Sequence, residues 1–510
     1  MNRLAASVPA WGKNSGPLWS GKSLVPEEKS LEKKERTGGF SCPPGHRGLS
    51  WICRRLFGTF WVTMSTYEVV VIGAGPAGLF AALGLENLGA GKVLLVEQGP
   101  DLKERHRDGP GGLLCGWGGA GAYSDGKLIL SPEVGGFLGD LLPLDDLTAL
   151  IQEVDGIYQS LGAPPEIHGG DPDTLELLKT KARHAGMIFV PTRLRHIGTE
   201  NCQKILSRLR ERLNGRVEIR THCRARRLMV QEGAVAGVVL DNEEVVRARA
   251  VIAAPGRSGA AWIREEARRL AIPSVPSPVD IGVRVECPAP VLAPLTEAAY
   301  EAKLIYYSRT FDDKVRTFCM NPYGEVVLED LDGLVTVNGH SYTSRKTENS
   351  NFAILVSSTF TEPFDDPISY GQYIARLANL LGQGALVQRL GDLQVGRRTT
   401  TARLKRCLTR PTLQRATPGD LSFVLPYRYL IDILEMLEAL DTLAPGINHR
   451  HTLLYGVEVK FYSHRLKLSP ELETPVRSLF IVGDGAGITR GLIQASASGL
   501  IAARALVGRR

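Results

Sequence analysis

Two glycine-rich signatures roughly 400 residues apart constrain this chain more than any other feature of it. The first, VVVIGAGPAG at 69–78, is an apolar strand that runs directly into G-x-G-x-x-G. The pyrophosphate of a dinucleotide requires that spacing: Gly73 for a tight turn, Gly75 for close approach of the phosphate, and Gly78 for packing of the next helix on the strand. The second, LFIVGDGAG at 479–487, is again an apolar strand, ending in Gly483 and a lone Asp484 and followed by the alanine-rich run GLIQASASG at 491–499. Either motif by itself is a weak signal. One near each end of the chain describes a site for FAD, in which the two motifs hold opposite ends of an extended cofactor. The expected fold class is α/β, a Rossmann-like FAD-binding domain with a β-meander insertion, plus a mixed α+β substrate domain.

From 67 to 98 the chain reads strand, glycine turn, helix from Pro76 to Leu88, and a second strand, KVLLVE at 92–97. Glu97 lies 24 residues after Gly73, close to the offset of about 20 at which an acid accepts hydrogen bonds from the adenosine ribose. The alternative for Glu97 is a solvated strand-end charge. The segment GWGGAGAYSDGK at 116–127 is too rich in glycine for an ordinary helix or a central strand. Its backbone N–H groups can approach a ligand, so Gly118, Gly119, Ala120 and Gly121 are expected near the pyrophosphate, with Ser124, Asp125 and Lys127 as a polar lining towards the flavin ring. A flexible surface loop is the plainer alternative.

Residues 137–185 carry Leu and Ile at helical spacing and are expected as a helical insertion. Four short β runs follow, at 217–220, 227–231, 236–240 and 248–255, and are read as a meander that rejoins the parent sheet. It ends in the small-residue turn APGRSG at 254–259, which places Gly256 on the adenosine side. Residues 271–455 break this rhythm, with strands at 279–286 and 352–356, helices near 369–390 and 427–440, and frequent prolines. They are expected as a substrate or cap domain, with the FAD-binding domain formed by 64–270 and 456–510. A second module for NAD(P)H would need its own strand, G-x-G-x-x-G and helix; the near match Gly382-Gln383-Gly384 follows a helical pattern and lacks the third glycine.

The formal charge of +7 invites a nucleic-acid or membrane reading, but ten Lys/Arg and four Glu fall in residues 1–63. Residues 64–510 carry 51 basic against 50 acidic side chains, so no nucleic-acid partner is expected. No apolar run approaches the ~18 residues needed to cross a bilayer, and no membrane association is expected. Eight cysteines without a C-x-x-C pair argue against a redox-active dithiol and for reduced thiols in the cytoplasm. No metal site is read, and the oligomeric state is not legible. The prefix 1–63 holds four of the six tryptophans without helical or strand period, and it suits neither a secretory signal nor a transit peptide. Met64 stands directly before STYEVVVIG and is the expected true start, with 1–63 a mispredicted extension; a disordered tail is the alternative.

Beyond the two FAD motifs, the chain carries GGAGAYSDGK at 118–127, RHIGT at 195–199, APGRSG at 254–259, VDIGVR at 279–284, RTFCMNP at 316–322, VNGH at 337–340, ENSNF at 348–352 and GDGAGITRG at 483–491. In these it resembles the uncharacterised FAD-dependent dehydrogenases, also labelled NAD(FAD)-utilising dehydrogenases, of the glutathione-reductase-like two-dinucleotide-binding superfamily. The resemblance covers essentially all of residues 65–508. It implies an FAD-binding fold with a substrate domain and supplies no substrate.

Gly73, Gly75 and Gly78, with Pro76 and Ala77 opening the helix, are expected to hold the pyrophosphate. Asp484 is expected on the ribityl chain or the pyrophosphate. The helix beginning at Gly491, Leu492 and Ile493 would aim its positive end at the flavin N1/C2=O edge, an effect of ~0.3–2 kcal/mol. For proton transfer or anion binding the candidates are Lys127, Arg195, His196 and His340. His196 also reads as a core or helix-terminus histidine, and Cys319 as a buried structural thiol rather than a flavin-facing one. The expected activity is that of an FAD-dependent dehydrogenase or reductase acting on an unidentified small molecule through the flavin N5, with NAD(P)H at most a transient reductant. An aromatic-type flavin monooxygenase using transiently bound NAD(P)H is the alternative, and a nucleic-acid-modifying flavoprotein is disfavoured by the balanced charge.

Overall fold

The computed structural model describes residues 66–106, 112–331, 333–342, 345–360, 364 and 366–509, so the expected start at Met64 and the prefix 1–63 lie outside the described residues. The strand Thr66–Ile72 is buried on both faces, as an inner parallel strand between helix layers must be. It pairs in parallel with Val93–Val96 on one side and with Val245–Ala253 on the other. Beyond Val93–Val96 the sheet continues in parallel with Glu218–Arg220. This corrects the expectation that 217–220 opens the meander. The preceding helix, Thr199–Leu213, supplies the crossover that a parallel connection needs, whereas a meander is joined by tight turns.

The meander consists of Ala225–Gln231, Ala234–Leu240 and Val245–Ala253. The outer edge of Val245–Ala253 is divided. Its first residues pair antiparallel with Ala234–Leu240, and Val251, Ile252 and Ala253 pair in parallel with Leu479–Ile481. Ile72 and Ile481 therefore both align with Ala253, and the two glycine motifs leave the sheet at the same level. The helices that follow them, Pro76–Asn87 and Leu492–Val507, pack through small residues. A Cβ on Gly499 would lie 2.1 Å from the Ala77 carbonyl oxygen, and one on Gly84 would lie 2.9 Å from the Ala503 Cβ. Close helix approach explains the alanine-rich composition of the C-terminal run.

A second sheet has eight strands in the order Thr417–Pro418, Leu386–Arg389, Leu453–Lys460, Val279–Pro288, Asn349–Ser358, Lys314–Asn321, Lys303–Tyr307, Met187–Val190. It is antiparallel except for the pairing of the first two. Two of its members cross the domain division expected from the sequence. Met187–Val190, within 64–270, forms one edge of this sheet, and Leu453–Lys460 straddles 455/456 yet lies wholly inside it. A four-residue apolar strand such as MIFV carries no local information about which sheet edge it will meet. The helices Leu144–Ser160 and Pro172–His184 occupy the expected helical insertion.

The second sheet has one apolar and one charged face, and the alternation is visible in its sequence. Along Val279–Pro288, the side chains of Ile281, Val283 and Val285 enter a core shared with Ile433, Met436 and Leu437 of the helix Tyr427–Leu440. Asp280 and Arg284 point the other way. Val459 alternates with Glu458 and Lys460, Val315 with Arg316, and Leu304 with Lys303. Lys303, Arg316 and Lys460 on this charged face line the same cavity as the glycine turns of the first sheet. Among the described residues no helix is long and apolar enough to cross a membrane.

Candidate active site

The turn after the first strand is built from glycines that have no room for a side chain. Gly73 has φ +95°, and a Cβ there would lie 2.3 Å from the Ala254 carbonyl oxygen; one on Gly78 would lie 1.9 Å from the Gly73 oxygen. Gly75 differs. Its φ is −77°, and the first atom a Cβ would meet is the Gly119 Cα at 3.9 Å, so Gly75 presents bare backbone to open space. Pro76 opens the helix, and no side chain caps its first turn. Uncapped N–H groups and the positive end of the helix dipole thus face the cavity.

Glu97 organises this turn. One carboxylate oxygen accepts from Ala74 N at 2.7 Å, and the other accepts from Gly99 N and Gly116 N, each at 2.9 Å. The side chain lines the cavity, and its oxygens retain lone pairs for hydroxyl donors. Arg105 completes the arrangement: its buried guanidinium donates to the carbonyls of Leu113, Trp117 and Gly119 at 2.8, 2.7 and 2.6 Å. The glycine loop is thereby wrapped around one side chain. Gly119, at φ +53°, stacks on Gly75, a Cβ there lying 3.0 Å from the Gly75 Cα. Gly118 turns the other way, where a Cβ would meet Leu206 at 2.3 Å.

At the C-terminal motif, Asp484 accepts from the Thr489 hydroxyl at 2.7 Å and lies 3.9 Å from the Arg257 guanidinium. Burial raises its carboxyl above the ordinary range, against the pull of Arg257 and Thr489. A carboxyl group at this position can exchange hydrogen bonds with the hydroxyls of a ribityl chain. Gly491 precedes the helix Leu492–Val507, whose first turn also lacks a side-chain cap.

A cavity of about 610 Å³ joins these parts. Gly73, Gly75, Pro76, Ala77, Glu97, Gly119, Ala120, Gly121, Ser124, Asp125, Lys127, Gly256, His340, Gly483, Asp484, Gly491 and Leu492 all line it. Gly78, Gly118, His196 and Ile493 do not. Gly78 and Gly118 serve packing, and the Ile493 side chain is in the hydrophobic core.

The expected proton-transfer residues fare unevenly. Lys127 faces the cavity but is 4% exposed, with its amine 3.2 Å from Asp125, 3.0 Å from Glu301 and bonded to the Met320 carbonyl. Burial would lower its proton affinity, but the Glu301 and Asp125 carboxylates oppose this and hold it well above the ordinary lysine value. Its surroundings thus favour the charged form of Lys127. Lys127→Met should lower stability by about 3–5 kcal/mol, measured by urea unfolding, because it leaves two buried carboxylates without their counter-charge. His196 does not line the cavity: its ring bridges the Asp125 carbonyl at 2.9 Å and the Tyr300 hydroxyl at 2.8 Å. Burial and Lys127 depress its proton affinity. Arg195 clamps Asp155 through two bonds of 2.7 Å, away from the cavity. Of the four, Lys127 and His340, the latter on the strand Leu334–His340, line the cavity.

Cys319 also lines the cavity, from a bulge in its strand at φ +44°. Its thiol donates to Asp125 at 3.3 Å, and burial pushes its pKa up to about 11, so it is a neutral thiol. Arg105, Lys303 and Lys460 have no motif around them in the sequence, and Arg316 and Arg490 sit in motifs without a signal for their roles. Strand alternation at 303–307 and 314–321 was the one available sign that Lys303 and Arg316 share a face.

The donor set fits FAD. Two uncapped helix N-termini face one cavity, Gly75 offers backbone without a side chain, and hydroxyl-accepting carboxylates stand at both ends, Glu97 and Asp484. The profile of the family described as FAD dependent oxidoreductase matches residues 68–353, more than half of the chain. A second, FAD-dependent protein, C-terminal domain-like, matches 278–461. A sequence search among curated proteins gives no match. Solved structures similar to this chain include L-proline dehydrogenase from P. horikoshii, at 10% identity over 88% of this chain and 95% of that one, with a TM-score of 0.40. Glycine oxidase from Geobacillus kaustophilus is similar at 14% identity, over 88% and 96%, with a TM-score of 0.37. L-amino acid deaminase from Proteus vulgaris, with its specific insertion sequence deleted, is similar at 13% identity over 88% and 91%, also at 0.37. By the extent of the matching profile, the chain belongs to the FAD-dependent oxidoreductase family.

Proposed function

We propose that this FAD-dependent oxidoreductase is a dehydrogenase or reductase of a small molecule that binds between the FAD cradle and the charged face of the second sheet. The same reading groups it with the NAD(FAD)-utilising dehydrogenases of the glutathione-reductase-like superfamily and places it in the cytoplasm, without a nucleic-acid partner. The observation that carries it is the single cavity running from Gly75 and Gly491 to Lys303 and Arg316. Six free cysteines among the described residues support a reducing compartment.

When bound, FAD supplies the two-electron redox chemistry of its ring. The protein's part is binding and orientation. The N–H groups at Gly75, Ala77 and Ala120 would hold the pyrophosphate, Glu97 the ribose, and Asp484 the ribityl hydroxyls. The N-terminus at Gly491 and Leu492 would favour negative charge on the ring edge it faces. The second sheet closes the other side of the cavity and orients the substrate.

The purified full-length chain is expected to show flavin absorbance and to release a chromophore with the mass of FAD. Anaerobic bleaching by NADH or NADPH would identify a reductase, and bound FAD that neither bleaches would identify a dehydrogenase with another electron partner. NADPH oxidation that rises with an aromatic compound and consumes oxygen stoichiometrically would replace this reading by the monooxygenase. A colourless protein that takes up no FAD would overturn both.

A further inference from the structure

The helix Pro367–Gly382 packs on the second sheet through Gly371, Ala375 and Ala378, yet its outer side is apolar as well. Tyr373, Leu377, Leu380 and Leu381 are exposed at the spacing of one helix face, Leu380 to 79%. The one charge among them, Arg376, has its guanidinium carbon 5.7 Å from the Tyr373 ring centre. Beyond the helix, residues 394–419 hold seven Lys/Arg and no acid, which leaves the rest of 64–510 with 44 basic against 50 acidic side chains. Of the seven, only Arg397 enters an ion pair among the described residues, with Asp392. Arg398, Lys405, Arg406, Arg410 and Arg415 are exposed, and Leu408 among them is 76% exposed. The segment is braced from below. Thr412 donates through its backbone N–H and its hydroxyl to the buried Glu286, the Arg410 carbonyl accepts from Asn349 at 2.7 Å, and the Cys407 thiol donates to the His451 carbonyl at 3.3 Å. It also adjoins the helix: the carbonyl of Gly382 accepts from the Thr417 hydroxyl at 2.7 Å, and Thr399, next to Arg398, donates to the Gly419 carbonyl at 2.9 Å. None of these exposed side chains lines the FAD cavity.

We propose that this helix face and the basic segment beside it form a docking surface for a bilayer that carries anionic lipid, on which the protein lies without spanning it. Leucines standing in water are unfavourable, and a contiguous apolar face on a folded protein marks a contact surface. At a bilayer the leucines enter the boundary between headgroups and acyl chains, and the arginines meet lipid phosphates and carboxylates. Arg376 keeps its stem along the apolar face and its charge at the headgroup level. Charge complementarity decides among the partners. A second copy would bring the same cations against one another. A nucleic acid would pair with the arginines and leave Leu380, Leu381 and Leu408 in water. An anionic bilayer engages both parts, and the leaflet facing the cytoplasm has that character. Such a surface needs neither a spanning run nor a positive charge over the whole body, the two features from which no membrane association is expected.

The test is co-sedimentation of the full-length protein with vesicles of phosphatidylcholine containing about 30% phosphatidylserine, and with vesicles of phosphatidylcholine alone. Flavin content and circular dichroism are read first, and each variant should match the parent in both, because the substituted residues are exposed and lie outside the cavity. The mixed vesicles should bind about tenfold more tightly than the neutral ones or better, and raising NaCl from about 0.1 M to about 0.5 M should weaken that binding about tenfold. Arg398→Gln combined with Arg406→Gln and Arg410→Gln should weaken it about tenfold or more. Leu380→Gln combined with Leu408→Gln leaves the charge unchanged and should weaken it about fivefold or more. No binding to the mixed vesicles, equal binding to the two compositions, or binding that neither variant weakens would each overturn the proposal, the last by assigning the contact to another part of the chain. A dimer in light scattering that the leucine variant dissociates would overturn it in favour of a contact between copies. Tighter binding of an RNA of about 20 nucleotides, weakened by the arginine variant and not by the leucine one, would overturn it in favour of a nucleic acid.

Discussion

Gly75→Val is expected to yield a folded protein that no longer holds FAD. Gly75 has an ordinary negative φ, and a Cβ there clears its neighbours, so the backbone accepts a side chain. The valine would project from the mouth of the helix into the space where the pyrophosphate must approach the N–H groups. We expect FAD affinity to fall ~100-fold or more, equivalent to about 2.7 kcal/mol, with unfolding stability changed by about 1 kcal/mol or less. Fluorescence titration of the apoprotein with FAD, alongside urea unfolding, measures both. Gly78→Val is the contrasting variant, because its Cβ would overlap the Gly73 carbonyl oxygen and disrupt the fold itself. A Gly75→Val protein that binds FAD normally would remove the first glycine motif from the cofactor site.

Glu458→Gln should be the most destabilising conservative change on the charged sheet face. Glu458 and Arg284 are both fully buried and meet at 2.9 Å. Arg284 also donates to the Cys319 carbonyl at 2.8 Å and to Asn338 at 2.9 Å, and Lys460 reaches Glu458 at 3.0 Å. Neutralising the acid leaves a buried guanidinium without its counter-charge and halves the support of Lys460. The expected loss is about 3–5 kcal/mol, read as a lower urea midpoint by circular dichroism. The double variant Arg284→Met with Glu458→Leu should lose less than either single change, since replacing both partners removes the desolvation cost together with the attraction. A single change that costs no more than a surface substitution would show that the pair contributes nothing to the fold.

The cofactor cradle was largely legible in the sequence because its demands are local and steric. Gly78 admits no Cβ because the Gly73 carbonyl five residues earlier occupies the space, and such an exclusion leaves a spacing that can be read directly; the Ala254 carbonyl that excludes a Cβ at Gly73 belongs to a distant strand end. Glu97 followed from the same unit, although its hold on Ala74, Gly99 and Gly116 did not, since Gly116 comes from a loop whose path is set by Arg105. The proton-transfer candidates were the weak point. Lys127, Arg195 and His196 are attractive residue types in a suggestive stretch, but Glu301, Asp155 and Tyr300, which determine what they do, are 40 to more than 170 positions away.

The sequence by itself determined the parallel glycine-turn unit, the FAD-type ends of the chain and the alternating strands of the second sheet, because strand period, helix spacing and the absence of a Cβ are properties of neighbouring residues. Only the tertiary structure decided that Met187–Val190 and Leu453–Lys460 belong to the second sheet, that Glu218–Arg220 belongs to the first, and which cations on the cavity wall have acids. Strand partners and ion pairs depend on which surfaces meet in space, and a charge such as that of Lys303 acquires its character from the groups packed around it rather than from its neighbours along the chain.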